Sequence, residues 1–256
     1  MLEKVIKKYT AKRLENLNQL LSKPISKSTV DTLHQIRIEI KKLFALKRFL
    51  EHRNIKFLNK KTSSELDELF SKSGKIREIQ VALDLIKLKF TEIRSHEIIG
   101  FLKKEVEIRK ADFINKYNGY LIETRNVVVK NIDVNETTLK NYITILKNTR
   151  SSISKGPKAL PSMIHNIRVN LKDANYLSKL LLTKKVNIND MKFILELGEW
   201  HDYVSLRKII FKILAANELN ELNTSQLISV IQKINRKIKI DLEHMKNNIS
   251  TYVNKS

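Results

Sequence analysis

Two stretches decide the reading of this chain: Leu33-His-Gln-Ile-Arg-Ile-Glu-Ile-Lys41 and Ile164-His-Asn-Ile-Arg-Val-Asn-Leu-Lys172. Residues 33–50 wound as a helix, at about 100° per residue, gather Ile36, Ile40, Leu43 and Leu50 on one side. His34, Arg37, Lys41 and Arg48 then fall in a separate stripe roughly 60° wide. The second stretch repeats the register: His165, Ile167, Arg168, Lys172, Leu177 and Leu181 match His34, Ile36, Arg37, Lys41, Leu46 and Leu50, with Lys179 opposite Arg48. A solvated helix face ordinarily mixes cations with acids, because like charges one turn apart repel. Basic groups aligned without an acid, twice, become favourable when an anion fills the stripe.

A second station follows each stretch in the same order, Gly74-Lys-Ile-Arg-Glu-Ile79 and Gly198-Glu-Trp-His-Asp-Tyr203. An internal duplication accounts for this, with its seam near Ile132. Periodicity predicts helices near 2–21, 29–52, 63–92, 97–131, 136–149, 162–184, 189–217 and 225–252, four before the seam and four after. Ser28, Thr62, Asn187 and Asn223 each stand three residues before an acid or amide and are expected to cap helices. Pro24, Gly156-Pro157 and Pro161 punctuate the loops before the two motif helices. The chain is expected to form a single domain over 1–256, with half-bundles 1–132 and 133–256 that need not be stable apart.

Composition agrees. Hydrophobic residues make up 42% of the 256, enough for a core, and only 5 glycines and 3 prolines leave little material for strand-and-turn architectures. The absence of cysteine excludes disulfides, thiolate metal sites and cysteine nucleophiles. A formal charge of +22 calls for a polyanionic partner to offset self-repulsion. Met1 to Tyr9 has no apolar run after its charges, and stretches such as Leu180–Leu182 are too short to span a bilayer. A cytoplasmic protein without a membrane-inserted segment is expected.

The paired His-x-x-Arg-x-x-x-Lys helices and the glycine stations resemble the CHAD family, the α-helical histidine domain, across the whole chain. The resemblance implies an all-α fold of two pseudo-symmetric four-helix bundles packed around a basic central pocket. It further implies non-enzymatic binding of inorganic polyphosphate, with no cofactor, and association with polyphosphate granules. By the same resemblance His34, Arg37, Lys41, Lys42, Arg48, His165, Arg168, Lys172 and Lys179 line the pocket, joined by Arg77 and His201. Glu78 and Asp202 are read as carboxylates that orient those cations. The sequence departs from the family pattern at Phe44, Glu78, Asp173 and Asn175, which leaves the second half less basic.

The chemistry suits phosphate independently. Phosphate chains offer closely spaced oxyanions and no bases. Arginine supplies forked donors, lysine a mobile point charge, and protonated histidine a further donor. Tightening of binding as pH falls through the histidine range is expected. Nucleic-acid binding is the alternative, and weak backbone affinity for RNA or DNA is expected of any protein this basic. Aromatic residues are 7% of the chain and do not interleave with the stripes as a base-stacking platform would. The third reading is an enzyme: His201-Asp202 with His165 and Asp241 is similar to the ligands of metal-dependent HD phosphohydrolases. The repeat weighs against it, since His201 has Arg77 as its counterpart. There is no P-loop and no HExxH. His52 continues the first stripe, and Trp200 is expected in helix packing.

Overall fold

The computed structural model describes residues 2–22, 30–90, 96–123, 135–149, 161–181, 188–216 and 221–253. Its helices are α1 Leu2–Ser22, α2 Val30–His52, α3 Lys60–Lys89, α4 His96–Tyr117, α5 Glu136–Asn148, α6 Pro161–Ser178, α7 Ile188–Ala215 and α8 Glu221–Val253. A 3-10 turn, Lys179–Leu181, prolongs α6. No strand occurs among the described residues, so the all-α fold and the four-plus-four count stand.

The ends of the helices differ from expectation in instructive places. Asn59 caps α3: in extended backbone it accepts from the Thr62 amide at 2.7 Å, and Thr62 lies inside the first turn, buried. Asn223 is also inside its helix, buried, and donates to Glu97 of α4 rather than capping α8. Ser28, Asn187, Pro24 and Gly156-Pro157 lie outside the described residues. Pro161 opens α6 at the first helical position, where its missing N–H is no loss. The largest correction is α4, which stops at Tyr117 instead of running to 131. Asn118-Gly119 is a helix stop: Gly119 takes a left-handed φ of 71° and its amide donates to Leu21 O. Ile122 then exchanges two hydrogen bonds with the Asn18 side chain, fastening this tail to α1.

Neighbouring helices pack in sequence within each half, α1 on α2, α2 on α3 and α3 on α4, then α5 on α6, α6 on α7 and α7 on α8. Between the halves α2 packs on α6 and α3 on α7. The four central helices thus meet their own counterparts, the arrangement an approximate two-fold axis produces. The apolar cores follow the axis rather than the seam. One cluster joins α1, α2 and parts of α3 and α4 to α5 and the end of α6. A second joins the C-terminal part of α3 and the start of α4 to α7 and α8. Only the third, around Ile167, Leu197 and Trp200, is confined to the second half. Trp200 is buried there, its indole donating to Ile238 O at 3.2 Å. The four helices at the axis are the two motif helices and the two glycine-station helices.

Candidate functional site

The stripes meet at that axis. A crevice between α2, α3, α6 and α7 has three adjoining lobes of about 460, 520 and 550 Å³, and Lys41, Arg168 and Lys172 line all three. The apolar side of each motif helix explains this placement. Ile36, Ile40 and Leu43 of α2 and Ile164, Ile167 and Leu171 of α6 are buried in the cores, which turns the basic stripes toward one another.

The repeated glycines have a definite task. A Cβ on Gly74 would stand 2.7 Å from Arg37 Nη1, and one on Gly198 would stand 3.3 Å from Arg168 Nη2. In each half the glycine of the second station makes room for the arginine of the first. Arg37 is held further. Its Nη1 donates to Phe70 O at 2.6 Å and to Ser73 Oγ at 3.4 Å, and its guanidinium lies 4.1 Å from the Phe70 ring centroid. Arg168 Nε, by contrast, is buried with no hydrogen-bond partner.

Among the described residues, Arg37, Lys41, Arg168 and Lys172 make no ion pair. Burial, reinforced by Lys172 and the arginines, pushes the Lys41 ammonium down to about 7. Burial and Arg168 push Lys172 down to about 8, against a smaller opposing pull from Asp202. Burial brings Arg37 down to about 10, with Arg77 adding to the effect and Glu78 opposing it. His34 is lowered by burial and then by Arg77, and His165 by burial and then by His201. These two imidazoles are therefore neutral at pH 7 without a ligand. The His165 and His201 rings lie 5.2 Å apart, and His201 Nδ1 is 3.8 Å from Asp202 Oδ1.

Of the residues singled out in the sequence, His34, Arg37, Lys41, Arg48, Arg77, His165, Arg168, Lys172 and His201 line the crevice, as do Glu78 and Asp202. Arg48 is engaged there: its Nε and Nη2 donate to buried Asp173 at 2.6 and 2.8 Å, a fork that ties α2 to α6. Lys42 and Lys179 are not among the lining residues. Lys42 turns to Glu39, at 2.6 Å, which also meets Arg13 of α1, and Lys179 is exposed on the 3-10 turn. His52 packs its ring on Tyr142 of α5. The structure adds Lys75, Ser205 and Lys208. Lys208 was findable: it lies two helical turns beyond His201 on the same face. For the hydrolase array, Asp241 is taken by Lys237 at 2.7 Å. Among the described residues no three His, Asp or Glu side chains gather as a metal-ligand group.

A crystal structure of the CHAD domain from the plant Ricinus communis superposes on this chain with a TM-score of 0.71, covering 98% of this chain and 92% of that one at 12% identity. The fold is that of a CHAD domain. No family model matches the sequence, and no curated protein matches it. The likeness to the plant CHAD domain therefore establishes the architecture, and the chemistry of the crevice rests on this chain's own side chains. Among the described residues no helix is long and apolar enough to cross a membrane.

Proposed function

We propose that the crevice binds inorganic polyphosphate without chemically altering it. The observation that carries this reading is the meeting of Lys41, Lys172, Arg37 and Arg168 from both halves, partly desolvated and without carboxylate partners among the described residues. Such a cluster opposes folding in isolation, and an oxyanion chain along it supplies the missing counter-charge through short charge-assisted hydrogen bonds. Nucleic acid fits less well. The Phe70 ring is already covered by Arg37, and Phe44 packs edge-on against it, so the crevice offers bases no free stacking face there.

The test is a titration at near-physiological salt with long-chain polyphosphate, single-stranded RNA and duplex DNA matched in phosphate. It is run on the wild type and on Lys41→Gln/Lys172→Gln. Polyphosphate is expected to bind best, and the double variant to lose at least about hundredfold in affinity, since hydrogen bonds to charged groups are individually strong. Equal binding of all three polyanions, unchanged in the variant, would show that only the general basic surface is at work.

A further inference from the structure

The three lobes of the crevice differ in kind. One is strongly basic, with Lys75, Arg77 and Lys208 added to the central cations against Glu78 and Asp202. The second, on the Arg48 side, contains Glu51, Asp67 and Asp173. The third is walled by Ile38, Leu85, Met191, Ile194 and Leu195 beyond Lys41, Arg168 and Lys172. Leu195 is 67% exposed there. Asn175 Nδ2 donates to Met191 Sδ at 3.4 Å, which holds the thioether in this wall. In the register of the repeat, Met191 stands where the first half has Asp67, and Leu195 where it has Ser71. The approximate symmetry of the fold thus generates two related lobes, and at this edge of the third the sequence has put Met191 and an exposed Leu195 where the first half has an acid and a hydroxyl.

A bare polyanion gains little in the third lobe, because beyond Lys41, Arg168 and Lys172 it offers no further lysine or arginine, whereas the basic lobe adds Lys75, Arg77 and Lys208. Resting on the phosphate reading above, we infer that the preferred ligand is an oligophosphate monoester whose ester group is apolar. Its phosphates occupy the central cations and the basic lobe, and the apolar group covers Leu195, Met191 and Leu85. An exposed leucine beside a cationic centre then has a function: its burial adds binding energy that an inorganic chain cannot collect.

Pyrophosphate and geranyl diphosphate form the probe pair, since they share the head group and differ in the apolar tail. Isothermal titration of both, below the micelle range, is done on the wild type, Leu195→Ser and Lys41→Gln/Lys172→Gln, with long-chain polyphosphate alongside. The expected result is geranyl diphosphate binding about tenfold or more tighter than pyrophosphate. That advantage should shrink several-fold in Leu195→Ser, which removes apolar surface without adding charge, while pyrophosphate affinity stays unchanged, and the lysine double variant should lose both ligands. Leu195 is exposed, so its replacement leaves the core intact. Equal binding of the pair, or an advantage that survives Leu195→Ser undiminished, overturns the inference. If polyphosphate still binds in that case, the proposed function stands; if nothing binds, both fall together.

Discussion

Arg37 in the first half is stacked on a ring and bonded to a carbonyl and a hydroxyl, whereas Arg168, its counterpart in the second half, has a buried Nε without a partner. The difference lies in the neighbouring glycine-station helix. Phe70 and Ser73 of α3 have Ile194 and Leu197 of α7 in the same register, and neither side chain can stack a guanidinium or accept from it. A second pair behaves likewise. Arg48 forks onto Asp173 across the axis, but the positions related to these two hold Lys179 and Lys42, two cations that cannot pair. Lys42 goes to Glu39 instead. Duplication supplied two equivalent frames, and divergence has given Arg37 and Arg48 structural bonds that their counterparts Arg168 and Lys179 lack.

Several variants would break or sharpen this contrast. Arg48→Met strands a buried carboxylate and is expected to destabilise by about 3 kcal/mol, against less than about 0.5 kcal/mol for Lys179→Met at the exposed related position. Chemical denaturation measures both, and equal costs would erase the asymmetry. Arg37→Gln should cost about 1–2 kcal/mol more stability than Arg168→Gln, because only Arg37 leaves protein acceptors behind. The order should reverse for polyphosphate affinity, with Arg168→Gln the more harmful. Gly74→Ala should lower the melting temperature relative to Gly198→Ala. Alanine ordinarily gains about 0.5–1 kcal/mol over glycine within a helix, but at Gly74 its Cβ strikes the pinned Arg37 at 2.7 Å.

Stability also depends on pH. Folding lowers Lys41 to about 7 and Lys172 to about 8, so between those values and the ordinary lysine range the unfolded chain binds more protons. The ligand-free protein should then gain stability as pH rises through that window; at lower pH both states are protonated, and the full cost of the buried charges is present without further dependence on pH. Polyphosphate affinity should run the opposite way and fall above about pH 7, with protons taken up on binding. Calorimetry in buffers of different ionisation enthalpy would detect the uptake. His34 and His165 are themselves lowered by burial and by neighbouring charge, which moves their share of the effect below the free histidine range.

Much of the site was legible along the chain because it is carried by helices. A basic stripe at helical spacing has one geometric realisation, and its repetition with a glycine station announced a symmetric pair. Lys42 and Lys179 were misplaced by that same logic. Adjacency to Lys41 suggested one, and register with Arg48 the other. Lys42 in fact pairs with Glu39 one turn away, and Glu39 is shared with Arg13 of α1, which no motif links to α2. The expected α4 ran to 131 on periodicity alone, which does not register the stop at Asn118-Gly119, where Gly119 takes a left-handed φ.

By itself, the sequence determined the all-helical architecture, the internal duplication and the convergence of cations, since periodicity and repetition are properties of the chain alone. Only the tertiary structure decided which cations remain without protein partners, why the glycines recur, and that one lobe of the crevice has an apolar wall. Those depend on which side chains lie across the axis, and contacts between helices distant in sequence are set by packing, not by spacing.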